Sequence, residues 1–163
     1  MPTSIRRTTL IAVPFFVAVI TVLLHAAVDR RTEVYRRVGD RKLTATIFEP
    51  ETSDAGEPRP CLIMIHGGGW NAGRPAFFFP HCRYFASRGM TAISIAYRLA
   101  SEPGVTPLEC TADTQAAVRW ARENAVRLNI DPQRIAVAGD SAGGDLPAAC
   151  GRVPALHDAP DHA

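Results

Sequence analysis

The mixed apolar and polar runs over residues 32–38 and 43–48 read as two strands joined by a turn at Gly39-Asp40. Residues 49–60 are polar and rich in proline, so they read as a surface loop. Residues 62–65 form a short, continuous apolar run, the pattern of a strand buried on both faces. A helix is expected over residues 75–88, closed by Gly89, with another buried strand at 90–96. Over residues 111–128 the apolar side chains Ala117, Trp120, Ala121, Ala125 and Leu128 recur at helical spacing, with Asp113 in the first turn. Asn129-Ile130-Asp131-Pro132 ends that helix. A strand at 135–138 and a helix from Ala142 complete the pattern, and Pro147 should kink that last helix.

Strands alternating with helices predict the α/β class: a mostly parallel sheet with right-handed crossovers and helices on both faces. Such sheets bind ligands beyond the carboxyl ends of their strands. Both glycine-rich segments, residues 66–69 and 139–144, follow predicted strands. They are therefore expected side by side on one edge of the sheet.

The N-terminus departs from this pattern. Arg6 and Arg7 precede an uncharged run from Leu10 to Leu24, followed by Ala26, Ala27 and Val28 and then Asp29, Arg30 and Arg31. A basic start, an apolar middle and small residues at the end describe a signal peptide, and the stretch also has about the ~20 residues that span a bilayer. The expected division is residues 1–28 as signal peptide or membrane anchor and 29–163 as one domain. The chain is then exported, periplasmic or secreted, or held at a membrane.

Composition adds limits. Apolar residues make up 47% and charged residues 21% of the chain, enough for a packed core. A net charge of +2 gives no footprint for nucleic acid. Cys61, Cys82, Cys110 and Cys150 are too widely spaced for a zinc pattern. Export would permit disulfides among them, while burial as free thiols is favoured for Cys61.

The candidate chemistry centres on Gly139-Asp140-Ser141-Ala142-Gly143, a G-x-S-x-G motif between a strand and a helix. There the serine sits at a strained turn, and the flanking Gly139 and Gly143 let strand and helix close on each other. The Ala142 N–H lies at a helix N-terminus, where it can donate to a developing oxyanion. A phosphate loop is the competing reading, but no Walker lysine follows Gly144 and the G-x-G-x-x-G spacing is absent. His66-Gly67-Gly68-Gly69-Trp70 follows an earlier strand, and its glycines can turn main-chain N–H groups toward a ligand. His66 is read as structural, its ring bonded within the glycine loop rather than serving as base.

These motifs resemble the α/β-hydrolase superfamily, in its hormone-sensitive-lipase-like and acetyl-xylan or feruloyl esterase-like branch. Tyr97-Arg98-Leu99, Asp113 with Ala117, Val118 and Trp120, and the run from Asn129 to Ile135 extend the likeness over about residues 32–150. The resemblance implies Ser141 as nucleophile, the N–H groups of Gly68, Gly69 and Ala142 as oxyanion hole, and His66, Gly67, Gly139 and Gly143 as support. It implies hydrolysis of carboxylic esters, small or carbohydrate-linked, through an acyl-enzyme without metal or cofactor. Peptidase and lipase chemistry stay open.

In this fold the triad runs Ser, acid, His. After Ser141 the acids are Asp145, Asp158 and Asp161, and the histidines His157 and His162. A polar tail with two prolines offers no rigid element to hold an imidazole in place, so a triad built there is disfavoured. The same tail cluster is read as solvated rather than as a metal site. The expectation is a fold that stops after the nucleophile helix, inactive by itself, with residues 135–138 as an unpaired sheet edge. The alternative is a non-catalytic exported binding module that keeps the first half of the fold.

Overall fold

The computed structural model describes residues 28–50 and 57–152. In chain order they form β1 (Val28–Val38), β2 (Arg41–Pro50), β3 (Arg59–Ile65), a 3-10 turn (Pro75–Phe78), α1 (Phe79–Ala86), β4 (Thr91–Ile95), α2 (Pro107–Glu123), β5 (Ile130–Gly139) and α3 (Ala142–Arg152). The five strands lie in one sheet in the order β1-β2-β4-β3-β5.

The sheet is mixed, which corrects the expectation of a mostly parallel one. β1–β2 and β2–β4 are antiparallel, and β3–β4 and β3–β5 are parallel. The reason lies in the connections. The two-residue turn at Gly39-Asp40 can return the chain only antiparallel, whereas α1 and α2 supply the longer crossovers that parallel neighbours need.

Alternation along β3 divides the core between the two faces of the sheet. Cys61, Ile63 and Ile65 join the cluster that contains Ala117, Val118 and Ala121 of α2 and Leu146 of α3. Leu62 and Met64 join Phe48, Ala92 and the α1 residues Cys82 and Ala86 on the other face. Helices thus cover both faces, as expected.

Several boundaries differ from the sequence pattern: β1, β2 and β3 are longer than expected and take in both ends of the expected loop over 49–60, and α2 stops at Glu123 rather than at 128. The helix expected over 75–88 opens as a 3-10 turn, because Pro80 has no N–H to give to the Ala76 carbonyl. Gly89, at φ +87°, closes it as expected. α2 starts at Pro107, where Thr106 accepts the Leu108 N–H at 3.2 Å and Glu109 accepts the Thr106 N–H at 2.7 Å. This capping box moves Asp113 out of the first turn. β5 begins at Ile130, and Pro132 is tolerated because β5 is an edge strand whose register with β3 shifts between Arg59 and Cys61. α3 continues across Pro147 to Arg152.

Among the described residues β5 pairs on one side only, with β3. Cys61, Cys82 and Cys110 are buried free thiols, not disulfide partners of one another. Burial pushes the Cys61 and Cys82 thiols up to about 12, so they stay protonated. The apolar N-terminal segment, except Val28, and the tail bearing His157, Asp158, Asp161 and His162 lie outside the described residues. No helix among the described residues is long and apolar enough to cross a membrane.

Candidate active site

The parallel pairing of β3 with β5 sets Ile65 opposite Gly139. Both strands therefore end at one level, and the segments that leave them, His66-Gly67-Gly68-Gly69 and Asp140-Ser141-Ala142, start as neighbours. This meets the expectation of a shared sheet edge.

At the end of β5 the chain reverses within two residues. Ser141 sits at φ +49°, in the left-handed region that a residue with a Cβ rarely occupies. Gly143 and Gly144 then bond back, Gly143 N–H to Asp140 O at 2.8 Å and Gly144 N–H to Ser141 O at 2.7 Å. The flanking glycines are required by contact. A Cβ on Gly139 would stand 2.2 Å from the Gly143 carbonyl oxygen and 2.4 Å from that of Ile65. One on Gly143 would stand 2.2 Å from the same Ile65 oxygen. Strand β3, strand β5 and helix α3 thus meet with no room for a methyl group, and Ser141 is left exposed above them.

The glycine loop is as tightly wound. Gly68, at φ +119°, accepts the N–H groups of Asn71 and Ala72 at 3.1 Å each. Its missing Cβ would fall 2.2 Å from the Ala72 oxygen. Gly69 and Trp70 both sit at φ +61°. Among the described residues the N–H groups of Gly68, Gly69 and Ala142 meet no acceptor within the chain.

His66 is 2% exposed, and its ring stacks on Tyr97 with centroids 4.4 Å apart. Its Nδ1 lies 2.9 Å from the Gly67 carbonyl oxygen. A carbonyl can only accept, so Nδ1 carries the proton and donates. Burial lowers the imidazole pKa below its ordinary value, which keeps the ring neutral. Among the described residues no hydrogen bond joins His66 to Ser141, consistent with a structural rather than a basic role. His81, on α1, is exposed and bonded to neither segment.

Several contacts were not legible from the sequence. The Asp140 carboxylate accepts the Gly67 N–H at 2.7 Å and so ties the serine turn to the glycine loop. The Tyr97 hydroxyl donates to the His66 carbonyl at 2.8 Å, and the Ala100 N–H to the Trp70 carbonyl at 2.8 Å. The 97–100 segment is itself held from α2. Asp113, with no side-chain exposure, accepts from the Arg98 backbone N–H (3.0 Å), its Nε (2.8 Å) and Nη2 (2.9 Å), and from Arg36 Nη1 (3.0 Å). Cys110 Sγ donates to the Arg98 carbonyl at 3.0 Å. The hydrogen-bonding side chains thus join α2, the 97–100 segment, the glycine loop and the serine turn into one unit.

Among the described residues no carboxylate–histidine pair contacts Ser141, and no group of three or more His, Cys, Asp or Glu could hold a metal ion. A BD-FAE family profile matches residues 46–158, most of the chain. The chain belongs to the BD-FAE family of α/β-hydrolase esterases. Beside this BD-FAE chain, the carboxylesterase NlhH of Mycobacterium tuberculosis is 44% identical over 91 residues, which cover 55% of this chain and 28% of that protein. The ethyl acetate hydrolase of Pseudomonas putida is 35% identical over 105 residues, or 64% and 32%. A thermophilic esterase structure from Thermogutta terrifontis superposes with a TM-score of 0.71 at 40% identity, covering 74% of this chain and 43% of that one. The BD-FAE chain therefore spans about a third of the two hydrolases and less than half of the solved esterase.

Proposed function

We propose that this chain carries the nucleophile and oxyanion hole of a serine carboxylic ester hydrolase that works through an acyl-enzyme. The observation that carries the reading is Ser141, held exposed at positive φ on the strand–helix turn, with N–H groups on both segments of the site that meet no acceptor among the described residues. In the proposed reaction Ser141 Oγ bonds to the ester carbonyl carbon while its proton passes to a base. The carbonyl electron pair moves onto oxygen, where the N–H groups of Gly68, Gly69 and Ala142 donate. The alcohol leaves with a proton, and water then cleaves the acyl–serine bond. Such donors act where charge develops and need no reorganisation during the step.

The base and its orienting acid are assigned to parts of the fold beyond the described residues. By itself the chain then gains only what binding and the oxyanion hole provide, about 10³–10⁴-fold over water. The proposed substrates are esters of short acids, since the Thermogutta terrifontis esterase has been solved with propionate and with butyrate bound. Carbohydrate-linked esters remain within this proposal. The N-terminal segment is proposed to take the chain to or across a membrane.

The test extends the full chain, after α3, with the remaining part of the Thermogutta terrifontis esterase, and assays 4-nitrophenyl butyrate. The fusion is expected to turn over the ester and Ser141→Ala to remove nearly all of it, since loss of the triad serine costs ~10⁶ in kcat. Substantial turnover by the Ser141→Ala fusion would refute the nucleophile. A kcat of ~1–10³ s⁻¹ from the unextended chain would refute the need for an added acid and base. A fusion that binds the ester without hydrolysing it would favour the binding-module reading.

A further inference from the structure

Two of the contacts that join the glycine loop to its surroundings fall on a single peptide group. The carbonyl of His66 and the N–H of Gly67 belong to one planar unit. Tyr97 donates to its oxygen at 2.8 Å, and Asp140 accepts from its nitrogen at 2.7 Å. A trans peptide points its C=O and N–H in opposite directions, and no cis bond occurs among the described residues. The two side chains therefore grip the 66–67 peptide from opposite edges. Rotation about its axis would break one bond or both.

The next peptide is held by a third side chain. His66 Nδ1 donates to the Gly67 oxygen at 2.9 Å, and that oxygen shares its peptide with the Gly68 N–H. With the oxygen directed at the imidazole, the Gly68 N–H points the opposite way. Space for this latch comes from Gly73. A Cβ there would lie 2.3 Å from His66 Nδ1 and 2.4 Å from the Gly67 oxygen. The imidazole is also fixed by its stack on the Tyr97 ring, so one tyrosine holds both the carbonyl and the ring of His66.

We propose that Tyr97 and Asp140 are positioning residues that lock the 66–67 peptide and thereby aim the Gly68 N–H as an oxyanion donor. The proposal rests on the serine-esterase reading for its catalytic part only. Glycine has more intrinsic backbone freedom than any other residue, and 67 to 69 are three in a row. Without a grip from outside, their N–H groups would sample many directions, and a donor must stand ~2.7–3.1 Å from the oxyanion to count. Asp140 has a further consequence: it neighbours Ser141 in sequence, so nucleophile and donor loop are set by one side chain.

Two measurements test this separately. In the full chain labelled with ¹⁵N-glycine, the resonances of Gly67 and Gly68 should shift in Tyr97→Phe and in Asp140→Ala. Solvent exchange of the Gly67 N–H, which Asp140 accepts, should rise by about tenfold or more in Asp140→Ala, as exposure to solvent no longer requires breaking that bond. Gly39, Gly89 and Gly104 should stay in place, and Asp140→Asn, which keeps an acceptor oxygen, should restore the wild-type positions. In the extended, ester-hydrolysing form, both variants should lower kcat by about 10–100-fold with KM nearly unchanged. That is less than the ~10²–10³ for outright loss of a donor. Asp140→Asn should recover most of the rate. Unmoved Gly67 and Gly68 resonances would overturn the clamp. Moved resonances with an unchanged kcat would overturn its catalytic role. If the extended wild type itself fails to hydrolyse the ester, the esterase reading fails, and the clamp is decided by the glycine resonances alone.

Discussion

Ser141 and Trp70 hold left-handed backbone angles that cost a residue with a Cβ about 1–3 kcal/mol each. The structure sustains this because neighbouring groups leave no alternative: Gly139 and Gly143 close the elbow on three carbonyls, and Ala100 ties down Trp70. At the same scale, His66 makes stability depend on pH. Its folded pKa lies below the ordinary value of about 6.5. As pH falls through about 6.5 the unfolded chain takes up a proton that the folded chain refuses, so stability is complete above that value and declines below it. Urea unfolding between pH 8 and 5 should show this decline in the wild type and a flatter profile in His66→Gln. Parallel profiles would exclude His66 as its source. Carboxylates titrate lower: Glu33, held down chiefly by its bond from Arg127, loses its contribution only as pH falls through about 4.3.

Among the elements, α2 does most to position the site without touching it. Its capping box fixes where the helix starts, and this places Asp113 opposite Arg98 and Arg36. The helical spacing of Ala117, Trp120 and Ala121 was legible because amphipathic periodicity is local. The Thr106–Glu109 box was equally local, and its S/T-x-x-E spacing was the signal that could have found it. The partners of Asp113 were not readable, since they come from β1 and from the 97–100 segment. Removing one member of a buried ion cluster costs about 3–5 kcal/mol. Asp113→Ala should fall at the lower end, about 3 kcal/mol, because the arginine side chains keep 16% and 14% exposure and some hydration. Urea denaturation measures it, and a loss below about 0.5 kcal/mol would show that the cluster does not hold α2 to the 97–100 segment.

At the scale of the molecule, the five-stranded mixed sheet of the described residues, covered on both faces, brings two glycine segments together and has β5 at an edge among those residues. Edge strands with free backbone groups invite pairing, and this edge lies beside the candidate site. The N-terminal segment belongs to this scale too. Expression of the full chain with a C-terminal reporter, followed by fractionation, should place it in the membrane or beyond it. A product that keeps residues 1–31 and stays freely in the cytoplasm would sink the proposed export.

Hydrophobic periodicity settled which segments become strands and helices, and the glycine and serine motifs settled where the site's backbone turns sharply. Both are encoded by neighbours along the chain, within the reach of one turn or one strand. The antiparallel pairing of β2 with β4, the burial that keeps His66 neutral, and the roles of Tyr97, Asp140 and Asp113 were decided only by tertiary structure. Asp140 meets Gly67 across 73 residues and Tyr97 meets His66 across 31. Such pairs become neighbours only when parallel strands end at one level, because the strand register, not local spacing, sets which side chains can reach which peptides.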